Sequence, residues 1–153
     1  MAAVTAAIGT LAGGVGGASA AFTRAVRTIT CKANVTDQPS PSPRVGTEFG
    51  LLTCRGALGS GVDFISFKQT PTSPTTAMLV GQFKWFFDRG TLHGKIKLTI
   101  TIAGPTDLRF VGIQRFTAGT GAFAGVAGSS KTTCLSTDAV HSSCTSTLTL
   151  AGL

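Results

Sequence analysis

The sequence predicts an all-β domain, arranged as an eight-stranded antiparallel barrel. Charged residues make up only 12% of the 153 residues, about half the usual share, and 20 glycines accompany many threonines and serines. This composition favours strands and turns, because helix surfaces are normally rich in Glu, Lys and Arg. An apolar content of 42% in one domain's length predicts a single core. A β-sandwich is the alternative arrangement of the same strands.

Alternating apolar and polar residues, separated by Gly, Pro and Ser turns, predict the strands at intervals typical of barrels and sandwiches. No segment after residue 20 shows a helical period with caps. Eight antiparallel strands can close on themselves, which leaves a lumen for side chains or one small ligand. The predicted strands are 24–34, 47–56, 61–69, 76–87, 91–103, 107–117, 126–136 and 143–151.

The fifth predicted strand shows the alternation most clearly. Leu92, Ile96 and Leu98 share one face of this strand, whereas Lys95 and Lys97 share the other. One face is therefore expected to meet the core and the other to meet water.

The fourth predicted strand carries three aromatic residues on one face, Phe83, Trp85 and Phe87. It ends at the turn 88–90, whose glycine permits a positive φ, so the fourth and fifth strands are predicted to form a hairpin. The three aromatic side chains pack in the core, line a ligand cavity or form a subunit contact.

The sixth predicted strand has apolar residues on both faces. Phe110 and Phe116 share one face with Gln114, and Val111 and Ile113 lie on the other. Such a strand fits a barrel wall with the core inside and a neighbouring subunit outside, or a central strand of a sandwich.

Four cysteines predict two disulfide bridges. Three pairings are possible, but only Cys31–Cys54 with Cys134–Cys144 lets each bridge close a hairpin. The first pair flanks a proline-rich stretch and the second pair a turn-forming stretch. Opposed residues of paired strands lie within disulfide reach, and such bridges persist outside a reducing cytosol.

Residues 1–20 predict an export signal. The segment is uncharged and rich in Ala and Gly, and small residues stand at Ala18 and Ala20, as a signal peptidase requires. It is too short and too glycine-rich for a transmembrane helix. A basic region before it is missing, so a start further upstream and a flexible N-terminal tail are the alternatives. We expect a secreted or cell-envelope protein with one domain at 21–153.

The net charge is +7, but the 13 Lys and Arg residues are spread along the chain, and Lys95 with Lys97 is the tightest pair. No nucleic-acid-binding motif accompanies them. The charge therefore predicts a solvated surface with weak attraction to an anionic polymer of the cell envelope, and no nucleic-acid partner.

Four glycines, Gly119, Gly121, Gly125 and Gly128, surround Phe123 between two predicted strands. Glycine permits the positive φ of sharp turns, so this segment is predicted to be a structural turn. It does not open a helix as a dinucleotide loop must, so no nucleotide cofactor is expected. The cysteines lack C-x-x-C spacing and there are only two histidines, so no metal site is expected either.

This glycine motif resembles the GTGxFxGxxG signature of the allene oxide cyclase/dirigent group of small barrels. The aromatic strand 81–87, the step 90–94 and the strand that ends before Pro105 match the group in order and approximate spacing over residues 76–153. The chain is most similar to small secreted actinobacterial members with two disulfides, most of them without an assigned activity. The resemblance implies an eight-stranded barrel, often trimeric, with an apolar lumen.

The lumenal acids of that group include one on the first strand, but 24–34 contains no Asp or Glu, and Asp37 is predicted to lie beyond it in a loop. No catalytic residue is therefore carried over. Glu48, Asp63 and Asp88 are the acids expected on or near strands. A lumenal carboxyl group would have a raised pKa and could act as a general acid or base, whereas an exposed one would be solvated or paired with a cation.

We expect a secreted barrel that binds a small apolar molecule or a cell-envelope component without catalysis. His93 and His141 are expected at the surface. One alternative is an isomerase or cyclase acting on a hydrophobic substrate in the lumen, which requires a buried acid with polar neighbours. The other alternative is an oligomeric interaction module.

Overall fold

The computed structural model of this chain describes residues 24–38, 40, 42 and 44–153. The predicted export signal at 1–20 lies outside the described residues. In the described ranges, no helix has the length and apolar character needed to cross a membrane.

Eight strands form one closed antiparallel barrel, as the sequence predicts. Each strand pairs with the next one along the chain, and the first and last strands pair over eleven positions, which closes the ring. The strands are β1 (Val26–Asp37), β2 (Val45–Cys54), β3 (Ser60–Ser73), β4 (Thr76–Phe87), β5 (Gly90–Ile102), β6 (Leu108–Gly119), β7 (Ala127–Ser136) and β8 (His141–Ala151). The sandwich alternative is therefore wrong.

The prediction that Asp37 lies in a loop is also wrong. β1 continues to Asp37, because its last residues pair with both neighbouring strands. Asp37 opposes Glu48 of β2, and Thr36 opposes His141 of β8. The backbone N–H of Asp37 also donates to the carbonyl of Val140 at 2.8 Å. The first strand therefore does carry an acid, at its very end.

The lumen holds the single core. On β4, Leu79, Phe83 and Trp85 point inward and are at most 2% exposed, while their chain neighbours face solvent. On β6, whose two faces the sequence did not distinguish, Phe110 and Phe116 are buried on the inner face. The strict alternation of the sequence thus becomes an inner and an outer surface.

One end of the barrel, here called the plugged end, carries the turns after β2, β4 and β6. Phe123, in a single 3-10 turn at Gly121–Phe123, is completely buried there and meets Phe87 edge-on at 5.4 Å between ring centroids. Gly121 has φ of 60°, and a Cβ on it would lie 2.3 Å from the carbonyl oxygen of Arg89. Glycine at this position therefore permits the turn that places the Phe123 side chain inside the barrel and closes this end of the lumen.

Both predicted disulfides are confirmed. Cys31–Cys54 joins β1 to β2, and Cys134–Cys144 joins β7 to β8, each with 4.0 Å between Cα atoms. All four side chains are buried on the inner face. The bridges brace β7, β8, β1 and β2 from inside, on both sides of the seam where β1 meets β8.

Candidate active site

Three of the six acids of the chain gather on the inner wall formed by β1, β2 and β3. Asp37 opposes Glu48 across the first strand pair, and Asp63 opposes Gly50 across the second. Glu48 and Asp63 are therefore diagonal neighbours on the same face, with Cα atoms roughly 7–8 Å apart. The strand register alone brings the three carboxyl groups together.

These carboxyl groups lie at different depths. Asp63 is only 3% exposed, whereas Glu48 and Asp37 are partly exposed. Burial, together with the negative charges of Asp37 and Asp63, raises the pKa of Glu48 to about 8. Burial raises the pKa of Asp63 to about 7, against a smaller lowering effect of the Trp85 indole, and it also raises the pKa of Asp37. At neutral pH, Glu48 is therefore mostly protonated and Asp63 is close to its midpoint.

No cation neutralises this group within the described part of the chain. The single ion pair found there joins the exposed His141 to Asp138 and involves none of the three lumenal acids. A buried carboxylate without a counter-ion is strongly disfavoured, so the group takes up a proton instead. Its protonation is therefore controlled by the barrel interior.

Asp63 and Trp85 are cross-strand partners and both line the lumenal cavity. Although the indole is close enough to lower the pKa of Asp63, the two groups are not aligned for a good hydrogen bond. Among the described residues, neither Oδ1 of Asp63 nor Nε1 of Trp85 has a hydrogen-bond partner. Buried polar atoms are nearly always paired, so these two mark a place where a water or a ligand group would bind.

A polar wall on β6, β7 and β8 faces the acids across the lumen. The side-chain oxygen of Gln114 accepts hydrogen bonds from Ser130 at 2.9 Å and from Thr132 at 3.4 Å. The hydroxyl groups of Thr132 and Ser146 lie 2.8 Å apart. The hydrogen bonds from Ser130 and Thr132 therefore both use the amide oxygen of Gln114.

The cavity between the two walls has a volume of about 20 Å³. Its lining includes Glu48, Asp63, Trp85 and Gln114 together with parts of both disulfides. This volume takes about one water molecule, whereas pockets for drug-sized ligands measure roughly 300–1,000 Å³. The lumen as described has no room to enclose a whole ligand.

The three aromatic residues predicted to line a ligand cavity occupy different places. Trp85 lines the cavity, whereas Phe83 and Phe87 do not. Phe83 packs edge-on against Phe116 with 5.0 Å between ring centroids, and Phe87 packs against Phe123 in the plugged end. These contacts build an aromatic cluster beneath the cavity.

The remaining titratable residues that the sequence singled out lie outside the lumen. Asp88 is exposed in the turn between β4 and β5, and His93 is partly exposed on the outer face of β5. His141 is exposed, with its Nδ1 2.7 Å from Oδ2 of Asp138. The backbone N–H of His141, followed by its side chain and the N–H of Val140, lowers the pKa of Asp138 below its usual range.

The polar wall was missed by the sequence analysis, although a signal for it was present. Gln114 lies on the same strand face as Phe110 and Phe116, which predicts an inward amide side chain. Glu48 likewise has the parity of Leu52, a buried residue of β2. A polar residue on the same strand face as apolar core residues therefore indicates a polar group inside the lumen.

No protein family matches this sequence, and no curated protein matches it either. Among solved structures, a pyocyanin demethylase shares 16% sequence identity with a TM-score of 0.48, over 83% of this chain and 100% of that chain. This likeness carries no information about the activity of the present chain. The fold and the site define a disulfide-braced eight-stranded barrel with carboxyl groups on the inner wall of its lumen.

Proposed function

We propose that this barrel is an acid–base enzyme of the isomerase or cyclase type, with Glu48 and Asp63 as its proton-transferring groups. One observation carries the proposal: two lumenal carboxyl groups, the buried Asp63 and the partly exposed Glu48, line one cavity without a cation in ion-pair contact in the described chain, and this cavity also has unpaired polar atoms. Buried acids reduce stability, and shifted pKa values near neutrality are typical of catalytic groups. Carriage of an apolar ligand has less support, since the lumen is nearly filled.

The two acids suit different roles. Glu48 lies nearer to solvent and is protonated at neutral pH, so it is the general acid that donates a proton to a substrate oxygen. Asp63 is close to its midpoint and in its ionised form accepts a proton. Asp37 supports Glu48, because its negative charge raises the pKa of Glu48. Such closely placed acids titrate as a coupled set.

The substrate is expected to approach from the end opposite the plugged end, where Asp37 and Glu48 lie. Only its reacting group needs to enter a space of about 20 Å³. Beyond the acids, the cavity lining is apolar at Ile65, Leu98 and Phe110. A small neutral hydrophobic molecule with a carbonyl or ether oxygen matches these surroundings.

We place the protein outside the cytosol and within the allene oxide cyclase/dirigent group as part of the same proposal. Two buried disulfides support an oxidising compartment. The glycine segment 119–128 and the barrel architecture support the group.

The test measures proton transfer directly. Small hydrophobic ketones, enones and epoxides are incubated with the protein in D₂O, and isomerisation or deuterium uptake is followed by NMR. We expect turnover of at least one compound, lowered about 100-fold or more by Glu48→Gln or Asp63→Asn, which is the usual contribution of a general acid or base. Asp88→Asn, which changes an exposed turn acid, should keep the rate.

Two results would contradict the proposal. One is unchanged turnover in both lumenal variants. The other, which needs no substrate, is a ¹³C NMR titration in which the carboxyl groups of Glu48 and Asp63 both ionise at the ordinary acidic pH of exposed side chains.

A second candidate function, self-association of barrels, is favoured by the outer face of β2, β3 and β4. Phe49 opposes Phe64, Leu51 opposes Val62, and Val62 opposes Phe86. All five side chains are substantially exposed, with Leu51 at 73%. A contiguous apolar patch of this kind is typical of a subunit interface.

A further inference from the structure

The outer wall of the barrel carries no negative side chain in any of the eight described strands. Inward-facing positions of β1, β2 and β3 hold three of the acids, and turns or loops hold the others. Cations, in contrast, lie on the outer faces of most strands. The six acids are Asp37, Glu48 and Asp63 inside, and Asp88, Asp107 and Asp138 in the connections.

The strand register places three of the outer lysines in a single row across the sheet. Lys68 and Lys97 both oppose Val80, and Lys97 and Lys131 both oppose Ile113. This set, here called the lysine row, thus has a cation on every second strand and an aliphatic side chain between cations. Neighbouring strands are about 4.8 Å apart, so the lysines repeat at roughly 10 Å. All five side chains are exposed.

Further cations increase the positive potential beside the lysine row. Lys95 directly opposes Arg115, two residue pairs away from the row on the same face of β5 and β6. Like charges directly opposite each other on a sheet are destabilising. Since no acid on the outer wall compensates for them, the repulsion is relieved only by ions or by a partner from outside.

We propose that the lysine row binds a flexible linear polyanion with a phosphate on each repeat, laid across the strands. The regular spacing of cations along the row suits repeated charges on one chain. The barrel wall is convex, so a flat bilayer would reach only part of the row. Bases of a nucleic acid need aromatic side chains for stacking, and the row contains none. This site is independent of the lumenal acids.

The experiment compares two single charge reversals on the intact chain, with long-chain inorganic polyphosphate as the probe. Lys97→Glu changes the centre of the row. Lys32→Glu is the matched control, because Lys32 is also exposed on an outer strand face but opposes Thr53 and Thr145. At low salt, Lys97→Glu should weaken binding about tenfold or more and Lys32→Glu less than about threefold. The slope of log K against log salt should become shallower by about 0.7 in Lys97→Glu.

Equal losses of polyphosphate affinity in Lys97→Glu and Lys32→Glu would overturn the proposal, since binding would then depend on net charge alone. Tighter binding of phosphatidylglycerol vesicles or of single-stranded DNA than of polyphosphate would also overturn it and would assign the surface to a membrane or to nucleic acid. Melting curves by circular dichroism check that both variants are folded. Lys97→Ala, which cannot introduce repulsion, should weaken polyphosphate binding in the same direction by a smaller factor.

Discussion

Asp63 and Asp138 are the same residue type with opposite acid strengths, because their surroundings differ. Asp63 is buried opposite an indole and has a raised pKa of about 7, since the charged form loses its hydration. Asp138 is exposed and accepts hydrogen bonds from the backbone N–H groups of Val140 and His141 at 2.9 and 2.7 Å, which lower its pKa. Only the first of these two acids can exchange a proton near neutral pH.

The raised pKa values of Asp63 and Glu48 predict that the folded protein loses stability as the pH rises from acidic to mildly alkaline values. Between the unfolded and folded pKa values, the native state binds more protons than the unfolded chain, so stability falls as pH rises. The window runs from 3.8 to about 7 for Asp63 and from 4.5 to about 8 for Glu48. Urea unfolding at a series of pH values should show that the free energy of unfolding falls by on the order of several kcal/mol across this pH window.

Asp63→Asn should flatten the pH dependence of stability, because it removes one of the two titrating groups. At a pH above 8 this variant should be more stable than the wild-type protein, which must then bury the charge of Asp63. Asp88→Asn, at an exposed turn, should leave the curve unchanged. A wild-type stability that rises between acidic and alkaline pH would contradict the burial of the two carboxyl groups.

At the scale of the elements, each disulfide closes one hairpin at the seam of the barrel. The bridges span 23 residues for Cys31–Cys54 and 10 residues for Cys134–Cys144. In the chain-entropy description each bridge stabilises by roughly 3 kcal/mol, and the longer loop by about 0.7 kcal/mol more. Replacing both cysteines of a pair by Ala should therefore lower the free energy of unfolding more for the first pair than for the second.

Equilibrium urea unfolding of the two double variants provides this comparison. Alanine is the suitable replacement, because all four positions face the lumen and a serine hydroxyl would be buried there. A larger loss from the short bridge would indicate that lumenal packing, and not loop closure, dominates its contribution.

For the whole molecule, barrel closure sorts the side chains into an inner set and an outer set with different chemistry. The outer wall combines the apolar patch on β2, β3 and β4 with the lysine row, and these two surfaces suit different partners. If the apolar patch holds a second copy, light scattering of the wild-type protein should show an oligomer. Leu51→Glu should dissociate it, because the charge would be buried at the interface.

Leu135→Glu is the control for this measurement. Leu135 is 57% exposed on β7, away from the patch, so the same substitution there should leave the oligomer intact in light scattering. A wild-type mass equal to that of one chain at all concentrations would remove the support for self-association.

Features that depend on local pattern were predictable from the sequence. Period-2 alternation located the eight strands and placed Phe83 and Trp85 together on one face. Hairpin geometry paired Cys31 with Cys54, since both flank one turn region. The extension of β1 to Asp37 was not predictable, because hydrogen bonds to β2 and β8, and not strand propensity, hold its last residues.

The sequence by itself determined which side chains face inward and which cysteines pair, because both follow from neighbours along the chain. The tertiary structure decided which side chains meet: Glu48 with Asp37 and Asp63, and Lys97 with the other lysines of its row. It also decided that the lumen keeps a cavity of only about 20 Å³. These properties depend on the register of residues far apart in sequence and on the closure of the sheet, which local alternation does not specify.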